Sequence, residues 1–203
     1  MATGRLLLRA TSWRWAIFIA MLAFVGNSVA TTVIPPTFDE LVEDAESVFE
    51  GTVISSQSKW VGKAEKRRIK TYYTFEVNEL LKGDIPSPYI LEVLGGTVDA
   101  DTLHVDGAPK FEIGDKVILF VTNNGAQFVP LVGIMHGHYK IEKDADTQHE
   151  SIVKHDGAVL QSTEEIGVSA GPKLLRPPNN ASPALTPKIF KNLIRDKLKN
   201  LNR

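Results

Sequence analysis

The hydrophobic and polar positions of this chain follow a helical period in two segments and an alternating period between them. Apolar residues recur every three or four positions from Phe38 to Ala45, which is the spacing of one helix face. Thr37 and Glu40 stand where the two halves of a capping box belong. The helical period returns from Thr186 to Leu201, where a proline follows the threonine at the first helical position. The pattern predicts a short N-terminal helix and an amphipathic C-terminal helix.

Between these segments apolar and polar residues alternate, which is typical of strands with one buried face. The clearest alternation runs from Thr71 to Asn78, and hairpins are expected about Asn123–Gly125 and Asp156–Gly157. Further strands are expected at residues 47–55, 89–96, 102–105 and 135–142, and Gly51 is expected at a bulge. These elements predict an α+β, mainly β fold, an antiparallel OB-like barrel with a short N-terminal helix and an amphipathic C-terminal helix.

The first thirty residues have the three parts of a secretory signal. Three arginines precede the apolar run Trp15–Val25, and the small residues Ser28 and Ala30 follow it. The run is short for a bilayer span, which needs roughly 20 residues. We therefore expect cleavage between Ala30 and Thr31, an exported protein, periplasmic or extracellular, and no stable transmembrane span afterwards. The alternative is an uncleaved membrane anchor.

The remaining chain divides into a β-barrel domain at 31–166, a linker at 167–185 and the C-terminal helix at 186–203, behind the signal peptide at 1–30. Cleavage of the signal peptide would remove three arginines and no acidic residue, which changes the formal net charge from −1 to −4. An acidic protein of this kind is expected to have no nucleic-acid partner. The cysteine count is zero, which excludes thiol catalysis and thiolate-bound zinc. A basic stretch at residues 57–70 is expected to be an exposed loop or hairpin tip whose charge contributes to solubility.

Two histidines stand two residues apart in the sequence GIMHGHYKI, which begins at Gly133. In a strand, His136 and His138 share the polar face with Lys140, and two imidazoles at this spacing can bind one metal ion. Zinc usually takes three or four ligands, so a third would have to come from elsewhere, with His104, His149, His155 or an acid as candidates. The two interpretations are a site for zinc or another transition metal and an ordinary polar strand face, and the second is favoured.

Other patterns of catalytic chemistry are weak or absent from the sequence. His149 and His155 stand six positions apart with Val153 between them, so the HExxH arrangement is not met. Three aspartates with short gaps between Asp99 and Asp106 are of the type that binds calcium, but the EF-hand pattern is missing. No nucleophile elbow, phosphate-binding loop or dinucleotide fingerprint occurs. The sequence favours a protein that is not an enzyme and needs no cofactor.

The order of several motifs resembles a family of uncharacterised exported bacterial proteins between Pro35 and Ile141. The most specific part is a set of spaced residues: Gly95, Gly96, Gly107, Ala108, Pro109, Phe111, Gly114, Leu119 and Phe120. A more distant likeness is to netrin-like and metalloproteinase-inhibitor domains, carried by A-x-x-V-F-x-G-x-V at 45–53, Y-x-F-x-V at 73–77, L-K-G at 81–83 and F-x-x-G at 111–114. This likeness implies an OB-type barrel. Those inhibitors use an N-terminal cysteine and disulfides, which this chain lacks.

Three functional hypotheses follow from the sequence. The first is an exported, non-catalytic binding or structural domain that recognises another exported protein or a surface through the long loop Gly95–Lys110. The second is a metal-binding protein or metal-dependent enzyme that uses His136 and His138. The third is a protease-inhibitor-like module, which needs an exposed and extended N-terminus at Thr31–Pro36. The C-terminal helix is expected to pack against the barrel rather than bind elsewhere.

Overall fold

A computed structural model describes residues 34–167 and 183–201. It contains two helices, α1 (Phe38–Asp44) and α2 (Pro187–Leu201). The strands are β1 (Ser47–Val61), β2 (Arg68–Lys82), β3 (Tyr89–Leu94), β4 (Gly96–Val98), β5 (Asp101–Leu103), β6 (Lys116–Val121), β7 (His138–Lys143) and β8 (Glu150–Lys154). Six strands form one antiparallel sheet in the order β3-β2-β1-β6-β7-β8, and β4 pairs with β5. The α+β, mainly β class is confirmed.

Both helices begin as the sequence predicts. The Thr37 hydroxyl accepts a hydrogen bond from the Glu40 amide at 3.2 Å, and the Glu40 carboxylate accepts one from the Thr37 amide at 2.7 Å. These two bonds complete the capping box. The Thr37 amide and hydroxyl both donate to the Glu40 carboxylate, which lowers the pKa of that carboxyl. At the second helix the Thr186 hydroxyl accepts a bond from the Ile189 amide at 3.4 Å, with Pro187 at the first helical position.

The six-stranded sheet buries apolar side chains on both faces. One face carries the two helices, whose Leu41, Phe190 and Ile194 are fully buried there. The other face holds a separate core, in which Phe49 and Phe75 lie under the segments that connect the strands. Strand β6 alternates between these two cores, which explains why its sequence KVILFV is a continuous apolar run.

The sheet is not closed into a barrel. Residues 122–132 cross from β6 to the outer edge of β3, where the Leu94 amide donates to the Phe128 carbonyl at 2.7 Å. The side chain of Asn124 caps the same edge by bonding the Ile90 carbonyl and the Glu92 amide. The prediction of a second strand after the Asn123–Gly125 turn is therefore wrong. This segment forms one isolated bridge, between Leu131 and Val121, instead of a ladder. Closure into an OB-like barrel stays a prediction.

The first two strands form a longer hairpin than the sequence predicts. Pairing continues out to Val61 and Arg68, so residues 57–70 form a hairpin tip, one of the two forms expected for this stretch, and most of them are paired strand rather than loop. The turn at the tip is a single 3-10 turn, Ala64–Lys66. The predicted bulge at Gly51 is confirmed, because the register between β1 and β2 shifts between Glu50 and Gly51.

Helix α2 packs against the folded core, as expected. Phe190 lies against the rings of Phe38, Phe120 and Tyr139, with centroids 5.1 to 6.3 Å apart. On the flank of the helix, Lys191 bridges two glutamates of the sheet and Lys197 bridges two acids of α1. Among the described residues, no helix is long and apolar enough to cross a membrane. The predicted signal peptide and nearly all of the predicted linker lie outside the described residues.

Candidate functional site

The long loop between β3 and β6 encloses a cleft against the sheet. The cleft has a volume of about 390 Å³, within the range of small-ligand pockets. Its floor consists of hydroxyl-bearing residues of β1 and β2, and its walls are largely apolar residues of β3 and the loop. The floor residues are Ser56, Ser58, Thr71 and Tyr73, and the apolar wall residues include Val93, Leu103, Val105, Ala108 and Phe111.

The near end of the loop rests directly on this floor. The Thr71 hydroxyl donates to the Gly95 carbonyl at 2.7 Å and shares a hydrogen bond of 2.8 Å with the Ser58 hydroxyl. Gly96 follows at a positive φ of 124°, and a Cβ there would lie 2.2 Å from the Thr71 hydroxyl oxygen. Glycine is therefore required at Gly96 because the backbone approaches the floor too closely for any side chain.

The far end of the loop is fixed by packing. A Cβ on Gly107 would lie 2.9 Å from the Met135 methyl carbon, so the loop lies directly on the GIMHG turn. Phe111 is buried, with its ring edge-on to Tyr73 at 4.9 Å, to Phe75 at 5.4 Å and to the His138 imidazole at 4.8 Å. The spaced glycines and the phenylalanine of the long-loop motif thus share a structural role, which is to hold the loop at a set distance from the sheet.

The two histidines of the sequence GIMHGHYKI do not share a strand face. His138 is the first residue of β7, whereas His136 belongs to a 3-10 turn, Ile134–Gly137, that interrupts the pairing beside β6. Gly133 begins this turn at a φ of 61°, and Gly137 leaves no room for a Cβ, which would lie 2.8 Å from the Val132 carbonyl oxygen. The prediction of one shared polar face is wrong because these two glycines fold a turn into the expected strand.

The His138 imidazole is held in its neutral form. Its Nε2 is buried without a hydrogen-bond partner, and burial lowers the pKa of the ring from 6.5 to about 4. The Asp115 carboxylate opposes this shift, while positive charge on His155 or on Lys140 reinforces it. Lys140 itself forms an ion pair with Asp115 at 3.0 Å, which raises the pKa of the lysine. His138 therefore acts as an uncharged packing surface for Phe111.

His136 lies next to His155 rather than next to a metal-ligand set. Their rings meet edge to face at a centroid distance of 4.8 Å, and burial lowers the pKa of both imidazoles. Of the candidate third ligands, His155 adjoins His136, whereas His104 lies in the long loop and His149 lies before β8. Within the described residues, no group of three or more histidine, aspartate or glutamate side chains is arranged to hold a metal ion.

The rim of the cleft carries the charged residues of the loop. His104 Nε2 lies 3.0 Å from the Asp106 carboxylate, and both side chains are largely exposed. On the floor, the Ser58 hydroxyl shares its hydrogen bond with the Thr71 hydroxyl. The aspartates considered for calcium, Asp99 and Asp101 with Asp106, are exposed and form no ligand group in the described chain. The described part of the cleft therefore presents hydroxyl groups and apolar walls to a ligand.

An apolar groove lies on the other side of the same loop. It has a volume of about 420 Å³ and is lined largely by apolar residues of the loop and of segment 122–134. Phe128 stands at its edge with 71% of its side chain exposed, and Ile134 and Val105 form its walls. Residues 104–108 therefore lie between a polar cleft and an apolar groove.

The sequence identifies the loop but not this pair of surfaces. The floor hydroxyls come from positions that alternate like those of any half-buried strand, and Phe128 belongs to no recognisable motif. Periodicity carries no signal for them, because the cleft exists only where Gly95 and Gly96 fold back onto Ser58 and Thr71.

The N-terminal segment bears on the inhibitor hypothesis only in part. Ile34 is 85% exposed, as an extended inhibitory segment would require. Pro36, however, lies against the GIMHG turn, because a Cβ on Gly133 would be 2.6 Å from the proline ring. Residues 31–33 lie outside the described chain, so the exposed N-terminus stays a prediction.

Comparisons with known proteins add no family to this geometry. No protein-family model, no curated protein and no solved structure matches the chain. The candidate site is therefore interpreted from its own residues.

Proposed function

We propose that this protein is an exported, non-catalytic binding domain that recognises a segment of another exported protein through the loop Gly95–Lys110. The observation that carries the proposal is the pair of surfaces on this loop, a hydroxyl-lined cleft on one side and an apolar groove on the other. A partner that grips the loop would bury an apolar centre at Phe128 and hydrogen-bond at the polar cleft. Protein interfaces commonly combine a buried aromatic residue with a polar rim.

The rigidity of the loop supports binding by a preformed surface. Gly95, Gly107 and Phe111 fix the loop at three separate places. A surface that is already ordered loses little conformational entropy when a partner binds. The charged groups near the cleft are at its rim, which favours recognition over acid–base chemistry.

We also propose that the strands form an OB-like arrangement closed by residues 122–132. The support is their order, because β1, β2 and β3 form a meander, β6 lies beside β1, and the segment 122–132 contacts both β6 and the β3 edge. In this arrangement the core around Phe49 and Phe75 is the barrel interior.

The binding function is tested by photo-crosslinking in cells that express and export the protein. A photoreactive phenylalanine replaces His104 in the loop and, in a matched control, His149, which is also an exposed loop histidine. The proposal predicts a discrete, saturable protein adduct from position 104 and none from position 149. Equal adducts at both positions, or none at position 104, would contradict it.

The metal hypothesis has less support. His136 contacts His155, but His138 is turned toward Phe111 and its nearest charged neighbours include Lys140. We expect the purified protein, without a histidine tag, to hold no stoichiometric zinc, copper or nickel after incubation with these ions. Elemental analysis of the parent and of a His136→Ala/His138→Ala variant measures this. Metal that is bound by the parent and absent from the variant would favour the metal-binding hypothesis instead.

A further inference from the structure

The tip of the β1–β2 hairpin gathers cations that have no acidic partner. Five exposed residues of the tip share this property: Lys59, Lys63, Lys66, Arg67 and Arg68. Most other cations of the described chain form ion pairs, including Lys70 with Glu92 at 3.0 Å and Lys116 with Glu150 at 3.6 Å. The tip therefore presents charge that the fold itself does not neutralise.

The charge of the protein is strongly segregated between this tip and the rest of the fold. Residues 59–68 hold five cations and one acid, Glu65, a net charge of +4. The other described residues hold twelve cations and twenty-three acids, a net charge of −11. Such a dipolar molecule orients its basic end toward an anionic surface and its acidic body away from it.

The basic tip also carries an amphipathic aromatic residue. Trp60 is 37% exposed, and the Arg67 guanidinium lies over its ring at 4.4 Å. Lys59 lies over the ring of Tyr72 at 4.0 Å in the same way. Tryptophan next to long basic side chains is the combination that settles at the boundary between lipid headgroups and acyl chains.

The geometry of the tip favours binding to a bilayer surface over binding to an anionic ligand of defined shape. The five cations project from a two-stranded turn, beyond the last pairing of β2 with β3 at Lys70 and Leu94. They line no pocket among the described cavities. The Arg68 guanidinium donates hydrogen bonds to the Glu65 and Arg67 carbonyls of its own turn, so it does not present a free bidentate donor pair to a ligand. A flat, fluid surface of negative charge matches a convex cluster of flexible cations.

We propose that residues 59–68 dock the protein onto a lipid bilayer rich in anionic phospholipids, with Trp60 in the headgroup layer. The tip binds by charge density and holds the acidic body, with its loop and cleft, away from the surface. This docking is independent of the loop Gly95–Lys110, which lies outside the tip.

The test uses the chain from Thr31 to Arg203, which contains the compact unit Ile34–Arg203. The other two tryptophans, Trp13 and Trp15, precede this chain, so Trp60 is its single tryptophan and the source of its tryptophan emission. The protein is titrated with vesicles of phosphatidylglycerol mixed with phosphatidylcholine, and in parallel with vesicles of phosphatidylcholine alone. Tryptophan emission and co-sedimentation are recorded at low and at high salt.

The proposal predicts a blue shift and co-sedimentation with the anionic vesicles only, both reversed by salt. Each cation removed from the surface is expected to weaken partition about fivefold. Lys63→Gln/Lys66→Gln should therefore bind about 25-fold more weakly, while the control Lys143→Gln/Lys188→Gln, which removes two exposed and unpaired lysines of the body, should bind like the parent.

Four results would overturn the proposal. They are equal binding to both kinds of vesicle, equal loss in the two double variants, binding to a DNA duplex with vesicles left unbound, and self-association without vesicles in analytical ultracentrifugation. The last result would assign the basic tip to the acidic body of a second copy. None of these results depends on whether a protein adduct forms at position 104.

Discussion

The neutral, buried imidazole of His138 predicts that the protein loses stability in mild acid. Its pKa in the folded protein is about 4, because burial disfavours the charged ring, whereas an unfolded chain protonates near 6.5. The unfolded state therefore takes up a proton first as the pH falls. The free energy of unfolding is therefore unaffected by this group well above pH 6.5, and it decreases as the pH falls from 6.5 toward 4. Between pH 7 and pH 5 this group alone lowers the free energy of unfolding by about 2 kcal/mol.

The substitution His138→Leu tests this magnitude because leucine is close in size and does not titrate. Urea unfolding, followed by circular dichroism, measures the free energy of unfolding at both pH values. We expect the loss between pH 7 and pH 5 to be about 2 kcal/mol smaller in the variant than in the parent. His149→Leu, on an exposed loop, serves as the control and should keep the pH dependence of the parent.

An unchanged pH dependence in the His138→Leu variant would refute the reasoning. If that variant does not fold, the parent protein still decides the matter through the NMR titration of its histidine Cε1 protons. A resonance of His138 that remains in its neutral position down to about pH 5 supports the account. A midpoint near 6.5 contradicts it.

Two further predictions concern packing and backbone geometry. Phe190→Ala should lower the free energy of unfolding by about 3–5 kcal/mol, because the ring is fully buried between α2 and the sheet. Ile189→Ala, on the exposed side of the same helix, should change it by less than about 0.5 kcal/mol. Equal effects of the two substitutions in urea unfolding would show that α2 does not dock as described. Gly96→Ala should destabilise the protein more than Gly157→Ala. Both glycines have positive φ, but of the two only Gly96 would bring a Cβ within 4 Å of a neighbour. Equal shifts of the melting temperature in the two variants would contradict the close contact with Thr71.

The elements that could be predicted are those whose signals are local. The capping box at Thr37 and the proline at the start of α2 act within one helical turn, so the sequence alone reveals them. The alternation from Thr71 to Asn78 likewise reports burial, because one face of β2 meets the core. The fold class follows from these signals.

The elements that could not be predicted depend on distant contacts. The outer part of β1, from Ile54 to Val61, has no buried side chain, and its pairing with β2 out to Val61 and Arg68 appears only in the fold. The turn that moves His136 off the strand depends on the backbone approach between Gly137 and β6. The segment after Gly125 reads as a strand, yet it crosses to β3 because Asn124 bonds that edge.

The candidate site divides in the same way. Its loop is visible in the sequence through composition, and the glycines that fix it are visible through their spacing. The cleft itself is not, because its floor is formed by Ser58 and Thr71, which belong to two different strands and meet the loop only in the folded chain. The charge of the hairpin tip is visible too, but its lack of acidic partners is a property of the fold.

The most direct test of the central claim, binding through the cleft and loop, is the yield of the adduct from position 104 in a variant whose cleft is filled. Ser56 is exposed on β1 and lines the cleft, and Gln57, the next residue, is exposed and does not. Ser56→Phe is expected to abolish the adduct while Gln57→Phe preserves it, with the free energy of unfolding unchanged in both. An adduct that survives Ser56→Phe at full yield would show that the cleft does not bind the partner.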